Sequence, residues 1–318
     1  MLMEQRLAPR TEGYPPSVRP GMIGGRKGAE LYITVATTNC SWGKCKFCGF
    51  NRLDGKHPPL SVSEAERQMQ IFFSKLPNSE RPKISKASVV CMTDSMLNPK
   101  TIEPDALKKI IEVSHNLLPN ITEISIESWA DMVKAPVLEE LQVFLTNLFG
   151  MNIVREIATG IETASEEIRN RVGKGISDKQ IEDLARTLVR LGWKLRGYFI
   201  YNLLERDDNV GALKRAVDFM ARLRDKTKVE LSILVLRGYQ PKVVENTKLF
   251  KGFKDVSDEM ALDELREGAN YAKNKVEFWI DSVSLDQKLT GAKELSYEYA
   301  DALIRYNQTS DPEMLCLT

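Results

Sequence analysis

The amino-acid sequence predicts an α/β fold: a parallel sheet wrapped by helices into a partial (β/α)6 TIM-like barrel, followed by a short C-terminal α/β extension. Three observations carry this prediction. Strand-like runs and amphipathic helical segments alternate six times between residues 31 and 236. The strand runs are almost continuously apolar, the pattern of strands covered on both faces. Polar residues gather at or near the C-terminal ends of these runs, where parallel α/β sheets bind their ligands. Each crossover in such a sheet is expected to be right-handed.

Residues 1–30 read as an irregular, Gly/Pro-rich N-terminal extension, with Gly24-Gly25-Arg26-Lys27-Gly28 as a plain turn. The first strand (31–36) runs into a cysteine-bearing loop. A helix over 63–76 follows, with a Ser63-x-x-Glu66 capping box and an apolar stripe of Ala65, Met69, Phe72 and Phe73. The second strand (87–92) ends at Thr93-Asp94-Ser95, and a helix covers 104–118. The third strand (123–127) and a helix (136–148) precede the fourth strand (154–159), which leads into Gly160-Ile161-Glu162-Thr163. Ser177 and Gln180 cap a helix that stops at Gly192. The fifth strand (193–201), a helix (210–223) and the sixth strand (229–236) complete the barrel. Beyond an insert around Pro241 come a helix over 258–274, a strand-like run over 276–283 and a helix over 292–307. The chain thus divides into an N-terminal extension (1–30), the barrel (31–236) and a C-terminal extension packed on it (237–318).

At 318 residues and 42% hydrophobic, the chain can bury a substantial core. Charged residues make up 28% but balance to +1, so net charge alone draws the protein neither to nucleic acid nor to a membrane. No apolar run reaches transmembrane length. Residues 1–20 hold no hydrophobic signal core, so a cytoplasmic location is expected. No dinucleotide-binding or P-loop glycine pattern stands at a strand–helix junction.

The chemistry concentrates in Thr38–Phe50, where Cys40, Cys45 and Cys48 are separated by four and two residues. The five cysteines of the chain are too few and too clustered for a disulfide scaffold. Soft sulfur ligands at this spacing suit an iron–sulfur cluster or zinc. Zinc would want a fourth ligand, and His57 is the nearby candidate. A redox dithiol at Cys45 and Cys48 is a third reading. Three thiolates without a fourth leave one metal position open for chemistry.

With Phe47 just before the third cysteine and a strand leading into the loop, this stretch resembles the cluster loop of the radical S-adenosylmethionine (SAM) superfamily. The resemblance extends along the chain. Glu123-Ile124-Ser125-Ile126-Glu127-Ser128 is similar to the third-strand motif of the elongator catalytic subunit branch. Gly160-Ile161-Glu162-Thr163-Ala164-Ser165-Glu166-Glu167-Ile168-Arg169, continued by Gly173-Lys174-Gly175, resembles a fourth-strand motif shared with the methylthiotransferases. Gly197-Tyr198-Phe199 occupies the fifth-strand slot. The nearest pattern is the radical SAM subunit of archaeosine synthase, a tRNA-modifying enzyme.

That resemblance implies a partial barrel of the radical SAM type. It implies a [4Fe–4S] cluster on Cys40, Cys45 and Cys48 that binds S-adenosyl-L-methionine through its open iron. An external electron donor reduces the cluster, and SAM cleavage yields a 5′-deoxyadenosyl radical. The resemblance further implies that Phe47 borders the cofactor and that Thr93, Asp94 and Ser95 meet the SAM amino group. Glu162 would meet ribose or methionine, with Glu127 at the same mouth. Arg169 or Lys174 would pair with the SAM carboxylate, and the backbone around Gly197 and Phe199 would face adenine. The implied substrate is tRNA, reached through a partner protein. A small metabolite or peptide is the alternative, and a zinc-stabilised binding module without catalysis is a second one.

Other residues read as structural. Cys91 is a small core residue, Cys316 a tail thiol, His115 a helix residue, and Trp42, Trp129 and Trp279 are packing residues. One basic bias stands out over 169–196, with eight Arg or Lys against three acids, and it is the candidate contact for phosphates.

Overall fold

The computed structural model describes residues 14–38, 40–48, 57–91, 93–201, 203, 208–237, 256–281 and 296–317. Eight strands form one curled sheet in sequence order: β1 (Ser17–Ile23), β2 (Arg26–Val35), β3 (Ile84–Cys91), β4 (Glu123–Glu127), β5 (Val154–Glu162), β6 (Lys194–Tyr201), β7 (Leu231–Arg237) and β8 (Glu277–Ile280). All neighbours run parallel except β1, which pairs antiparallel with β2. The helices are α1 (Val62–Ser74), α2 (Pro104–Leu117), α3 (Ala135–Phe149), α4 (Glu166–Arg171), α5 (Asp178–Leu191), α6 (Asn209–Thr227), α7 (Asp258–Ala272) and α8 (Tyr297–Thr309). Together they make a half-barrel of the TIM-like kind, with the predicted six parallel strands as β2–β7. Among the described residues, no helix is long and apolar enough to cross a membrane.

The N-terminal segment departs from the sequence reading. Ser17–Ile23 is a strand, joined to β2 by the two-residue turn Gly24-Gly25, with Ile23 opposite Arg26. Both glycines have positive φ, 54° and 75°, which a tight two-residue hairpin requires. The capping box of α1 also sits two residues earlier than predicted: Ser61 accepts from the Glu64 backbone, and the Glu64 side chain accepts from Ser61 N. The sequence offers the same Ser-x-x-Glu spacing at both registers. Extended backbone at Ser61 selects the first. The insert around Pro241 and the expected start of the last helix lie outside the described residues.

Outward-facing strand residues such as Leu31, Ile33, Val89, Ile124, Ile126, Ile157, Leu195 and Phe199 pack with the helices in one continuous core. The inward face is different. Glu30, Lys86, Glu123, Glu156 and Arg196 are all buried there. Arg196 Nη1 lies 2.7 Å from Glu30, and its Nε 3.2 Å from Glu156. Lys86 Nζ lies 2.7 Å from Glu156 and also pairs with Glu123. Ser125 donates to Glu156 at 2.8 Å, and Ser88 donates to Glu30. Five strands are cross-linked through this layer. The expectation of nearly continuous apolar strands therefore holds for the outer face, while the inward face carries this ion layer as well as a smaller apolar and aromatic cluster, because neighbouring residues on a strand point to opposite sides.

The ends of the sheet approach one another without strand pairing among the described residues. Arg19 of β1 pairs with Asp281, just past β8, at 2.6 Å. Gly21 lies so close to the Trp279 ring that a Cβ there would be 2.3 Å from it. Helix α8 covers the outer edge of β8. Asn307 accepts from Ile280 N and donates to Ile280 O, and the Tyr306 hydroxyl donates to Phe278 O. The side chain of Asn307 thereby takes the place of a further strand.

Removing one partner from a buried charge pair leaves the other uncompensated, so Arg196→Met is expected to destabilise the fold by roughly 3–5 kcal/mol in urea unfolding. Burial alone would raise the Glu30 carboxyl, but Arg196, Lys86 and the Ser88 hydroxyl outweigh it and hold the pKa at about 2. A folded-state value below the unfolded one gives stability that is present above the unfolded pKa and lost as pH falls through the folded one. Urea midpoints measured from about pH 5 down to about pH 2 should fall, and Glu30→Gln should flatten that limb. A limb equally steep in the variant would show that Glu30 does not drive it.

Candidate functional site

The cysteine loop leaves the C-terminal end of β2 and folds over the mouth of the barrel. Three sets of bonds hold it. The Thr93 hydroxyl donates to Thr38 O and lies 3.2 Å from the Thr37 hydroxyl. Asp94 Oδ2 accepts from Ser41 N at 3.0 Å, and also from Asn98 Nδ2 at 3.2 Å and the Thr101 hydroxyl at 3.0 Å. On the opposite side the loop rests on the segment after α4: Lys46 N donates to Val172 O at 2.8 Å, and Trp42 Nε1 donates to Gly173 O at 2.7 Å.

This second contact explains the Gly173-Lys174-Gly175 run. Both glycines have positive φ, 76° and 68°. A Cβ on Gly173 would meet Lys44 O at 2.3 Å, and one on Gly175 would meet the Trp42 ring at 2.3 Å. Between them, Lys174 turns inward and pairs with Glu162 at 2.5 Å. Gly160 makes room for that pair, since a Cβ there would lie 2.3 Å from the Glu162 carboxylate and 2.5 Å from the Lys174 amine. Glu162 itself has φ 70°, at a register shift between β5 and β6. A non-glycine residue in the left-handed region is uncommon in a strand and marks a site where surroundings hold strain in place.

Cys40, Cys45 and Cys48 line one pocket of about 200 Å³ together with Phe47, Thr93, Asp94, Glu127, Glu162 and Lys174. Cys45 and Phe47 are buried against Val172, Ile200 and Leu203, with Trp42 and Trp129 beside them. Burial pushes the Cys45 thiol up to about 12, opposed by the nearby Lys174. Burial likewise raises Cys40, opposed by the Gly43 and Trp42 backbone. Burial opposes the charge on Lys174, but Glu162, Cys45 and Cys48 outweigh it and hold the ammonium.

Among the described residues, no three His, Cys, Asp or Glu side chains converge closely enough for a single ion. His57 is exposed, outside the pocket wall, and its backbone N–H donates to the Thr38 hydroxyl. That arrangement does not fit a zinc ion held by the three thiols and His57. Three thiols spread around one pocket wall, beside a buried ammonium, fit a larger multi-iron group.

Two residues singled out in the sequence, Ser95 and Arg169, stand outside the pocket wall. Ser95 bonds the Ser128 hydroxyl at 2.7 Å and ties the end of β3 to the end of β4. Arg169 is fully buried and donates to Ile176 O and Thr163 O while pairing with Asp178, so it fixes the α4 turn. The side chain of Phe199 faces the helical layer, and a Cβ on Gly197 would meet Met220 and Ile161 there. The residue of β6 that reaches the pocket is Tyr198. Strand alternation carried this signal, since Arg196 and Tyr198 share one face. Arg19, Tyr32, Tyr198 and Asp281 also line the pocket. Arg19 and Asp281 come from opposite ends of the sheet, and only the curled sheet brings them together.

The sequence profile of the Radical SAM superfamily matches residues 34–215, more than half of the chain. No curated protein sequence matches it. Among solved structures, the chain is similar to archaeal Elp3 from Methanocaldococcus infernus with an N-terminal deletion: TM-score 0.50, 12% identity, 86% of this chain and 62% of that one. It is also similar to coproporphyrinogen III oxidase (HemN) from Escherichia coli, a radical SAM enzyme: TM-score 0.44, 16% identity, 77% of this chain and 52% of that one. Spore photoproduct lyase complexed with dinucleoside spore photoproduct gives TM-score 0.49 and 14% identity over 77% of this chain and 75% of that one. The chain spans about half the length of HemN. At these identities the likeness is one of fold.

Because Gly173 sets the seat of the cysteine loop, Gly173→Ala should displace it. The left-handed backbone costs an L-residue roughly 1–2 kcal/mol before the clash with Lys44 O is counted. The variant is expected to keep its far-ultraviolet circular dichroism and to bind clearly less iron after anaerobic reconstitution. Full iron loading would show that the seat tolerates a methyl group.

Proposed function

The chain belongs to the radical SAM superfamily, and from that premise we propose that its pocket binds SAM beside a [4Fe–4S] cluster held by Cys40, Cys45 and Cys48. One observation carries this reading: the three thiols share a pocket wall with carboxylates and a buried ammonium. SAM is a zwitterion with a sulfonium, so it needs an anion for its ammonium, a cation for its carboxylate and an apolar shelf for adenine. This reading assigns the first to Glu127, half-buried at the end of β4 and lining the pocket. It assigns the second to Lys174, which would share its ammonium between Glu162 and the SAM carboxylate. Asp94 is committed through Oδ2 to Ser41, Asn98 and Thr101, which makes it an anchor of the loop.

A [4Fe–4S] cluster held by Cys40, Cys45 and Cys48 would supply, once charged by an external donor, the electron needed to cleave a carbon–sulfur bond of SAM to methionine and a 5′-deoxyadenosyl radical for hydrogen-atom abstraction. The protein's own part is to hold SAM in register and keep water out. Trp42 and Trp129, with ring centroids 5.9 Å apart, pack beside Cys45 and Phe47 and help to shield the thiols.

Base modification of tRNA, as in archaeosine synthase, is the finer reading, supported by the likeness of residues 123–128 and 160–169. The basic bias over 169–196 no longer supports it. Arg169, Lys174 and Arg196 point inward and are paired. Lys179 pairs with Asp183, and Lys194 with Glu230. What remains on the surface is Arg171 on α4 with Arg186 and Arg190 on α5, where Arg186 lies 3.9 Å from Glu182. A compact substrate that enters the pocket is the reading the geometry favours.

Alanine at Cys40, Cys45 or Cys48 is expected to abolish iron binding and SAM cleavage alike. Stoichiometric zinc with no iron would overturn the assignment. Glu127→Gln should keep the iron and weaken SAM binding roughly ten- to a hundredfold, the worth of one charge-assisted hydrogen bond. Asp94→Ala should instead lower iron content, since it releases the loop. Equal iron and SAM binding in both variants would refute both roles.

A further inference from the structure

The inward face of β2 and β6 gives the pocket two groups to which the proposed SAM contacts assign no role. Tyr32 of β2 and Tyr198 of β6 both line the pocket and are only 5% and 8% exposed. Among the described residues, neither hydroxyl has a hydrogen-bond partner. Folded proteins seldom leave a buried hydroxyl in that state, because it has lost its water and gained nothing in return. Burial pushes both phenols above the usual tyrosine range, so they stay protonated and can donate.

The surroundings narrow what they would donate to. Val90 and Leu234 line the pocket beside the two tyrosines, and Ala158 and Trp279 belong to the same packed cluster, so this part of the wall is apolar and aromatic. The charges beside it are matched. Arg19 pairs with Asp281 at 2.6 Å while its guanidinium lies 3.6 Å over the Tyr32 ring. Arg196 is shared between Glu30 and Glu156. An anionic group would meet no uncompensated cation on this side, and a purely apolar one would leave both hydroxyls as they are.

We propose that this inner wall is the substrate subsite and takes an uncharged, flat ring bearing carbonyl, amide or ring-nitrogen acceptors, which the Tyr32 and Tyr198 hydroxyls bind. The assignment rests on the outer half of the pocket being the SAM site. Arg19, stacked on Tyr32 and tied to Asp281, is a positioning residue that fixes one of the two donors. Such a ring occurs as a free metabolite or as a base within a nucleic acid.

The test uses the reconstituted, SAM-loaded protein, titrated by ligand-observed NMR with nicotinamide and uracil as neutral rings and nicotinate as an anionic counterpart. Both neutral rings should bind. Tyr32→Phe and Tyr198→Phe should each weaken them roughly two- to tenfold, the loss of one neutral hydrogen bond. Nicotinate should bind less well than nicotinamide. Each variant removes only an unpartnered hydroxyl, so its melting temperature should not fall below that of the wild type. Neutral rings that fail to bind the wild type, Phe variants that bind them equally well, or a preference for nicotinate would overturn the proposal. Iron content and SAM affinity are measured on the same samples, so failure of the SAM site is seen separately. Displacement of nicotinamide by unmodified tRNA would assign the ring to a nucleic-acid base, and persistence would assign it to a free metabolite. Both results retain the subsite.

Discussion

The barrel is organised around the buried contact between Arg196 and its two carboxylates, Glu30 and Glu156. A guanidinium on β6 that bonds acids on β2 and β5 spans the interior of the curled sheet. Lys86 extends the same layer to β3 and β4. Backbone pairing alone does not decide how tightly a sheet curls. A set of charges that must be neutralised inside the curve does constrain it, because opening the sheet would leave those charges apart in a medium that solvates them poorly. The layer serves as a floor, and the pocket lies above it at the C-terminal ends of the strands.

The mouth is built by a different kind of contact, in which backbone approaches backbone. The cysteine loop is seated on the segment after α4 through bonds to Val172 O and Gly173 O, at a separation that leaves no space for a side chain on Gly173 or Gly175. The same segment delivers Lys174 to Glu162, whose left-handed backbone turns its carboxylate towards the amine. Thiols and ammonium are thus positioned by one short stretch of chain. A shift in that stretch would move both together.

The two ends of the described chain meet to close the pocket's side. The hairpin strand β1 brings Arg19, the segment after β8 brings Asp281, and α8 covers the free edge of β8 with Tyr306 and Asn307. Residues far apart in sequence therefore share the inner wall with Tyr32 and Tyr198. The pocket combines an outer half rich in sulfur and charge with an inner half of rings and matched ions. That division suits a reaction in which a reactive species must meet its target away from water.

The sequence by itself determined the alternation of six strands and helices, the parallel order that follows from it, and the three thiols of one loop, because these are encoded in local periodicity and spacing. It also singled out Glu127, Glu162 and Lys174, which line one pocket in the fold, since strand ends and a short glycine-flanked motif are local features. What only the tertiary structure decided was which face each residue serves. Gly197 and Phe199 turned to the helices and Tyr198 to the pocket, a difference of one residue that strand alternation converts into opposite sides. Arg169 and Arg196, counted in the basic stretch read as a candidate phosphate contact, were drawn inward by partners at Asp178 and Glu30, the latter 166 positions away. The strand at Ser17–Ile23 was missed although its Gly24-Gly25 hairpin to β2 is local, whereas its contact with Trp279 on the other side exists only once the sheet has curled. Long-range charge pairing and edge closure depend on contacts between distant residues, and a linear pattern carries no record of them.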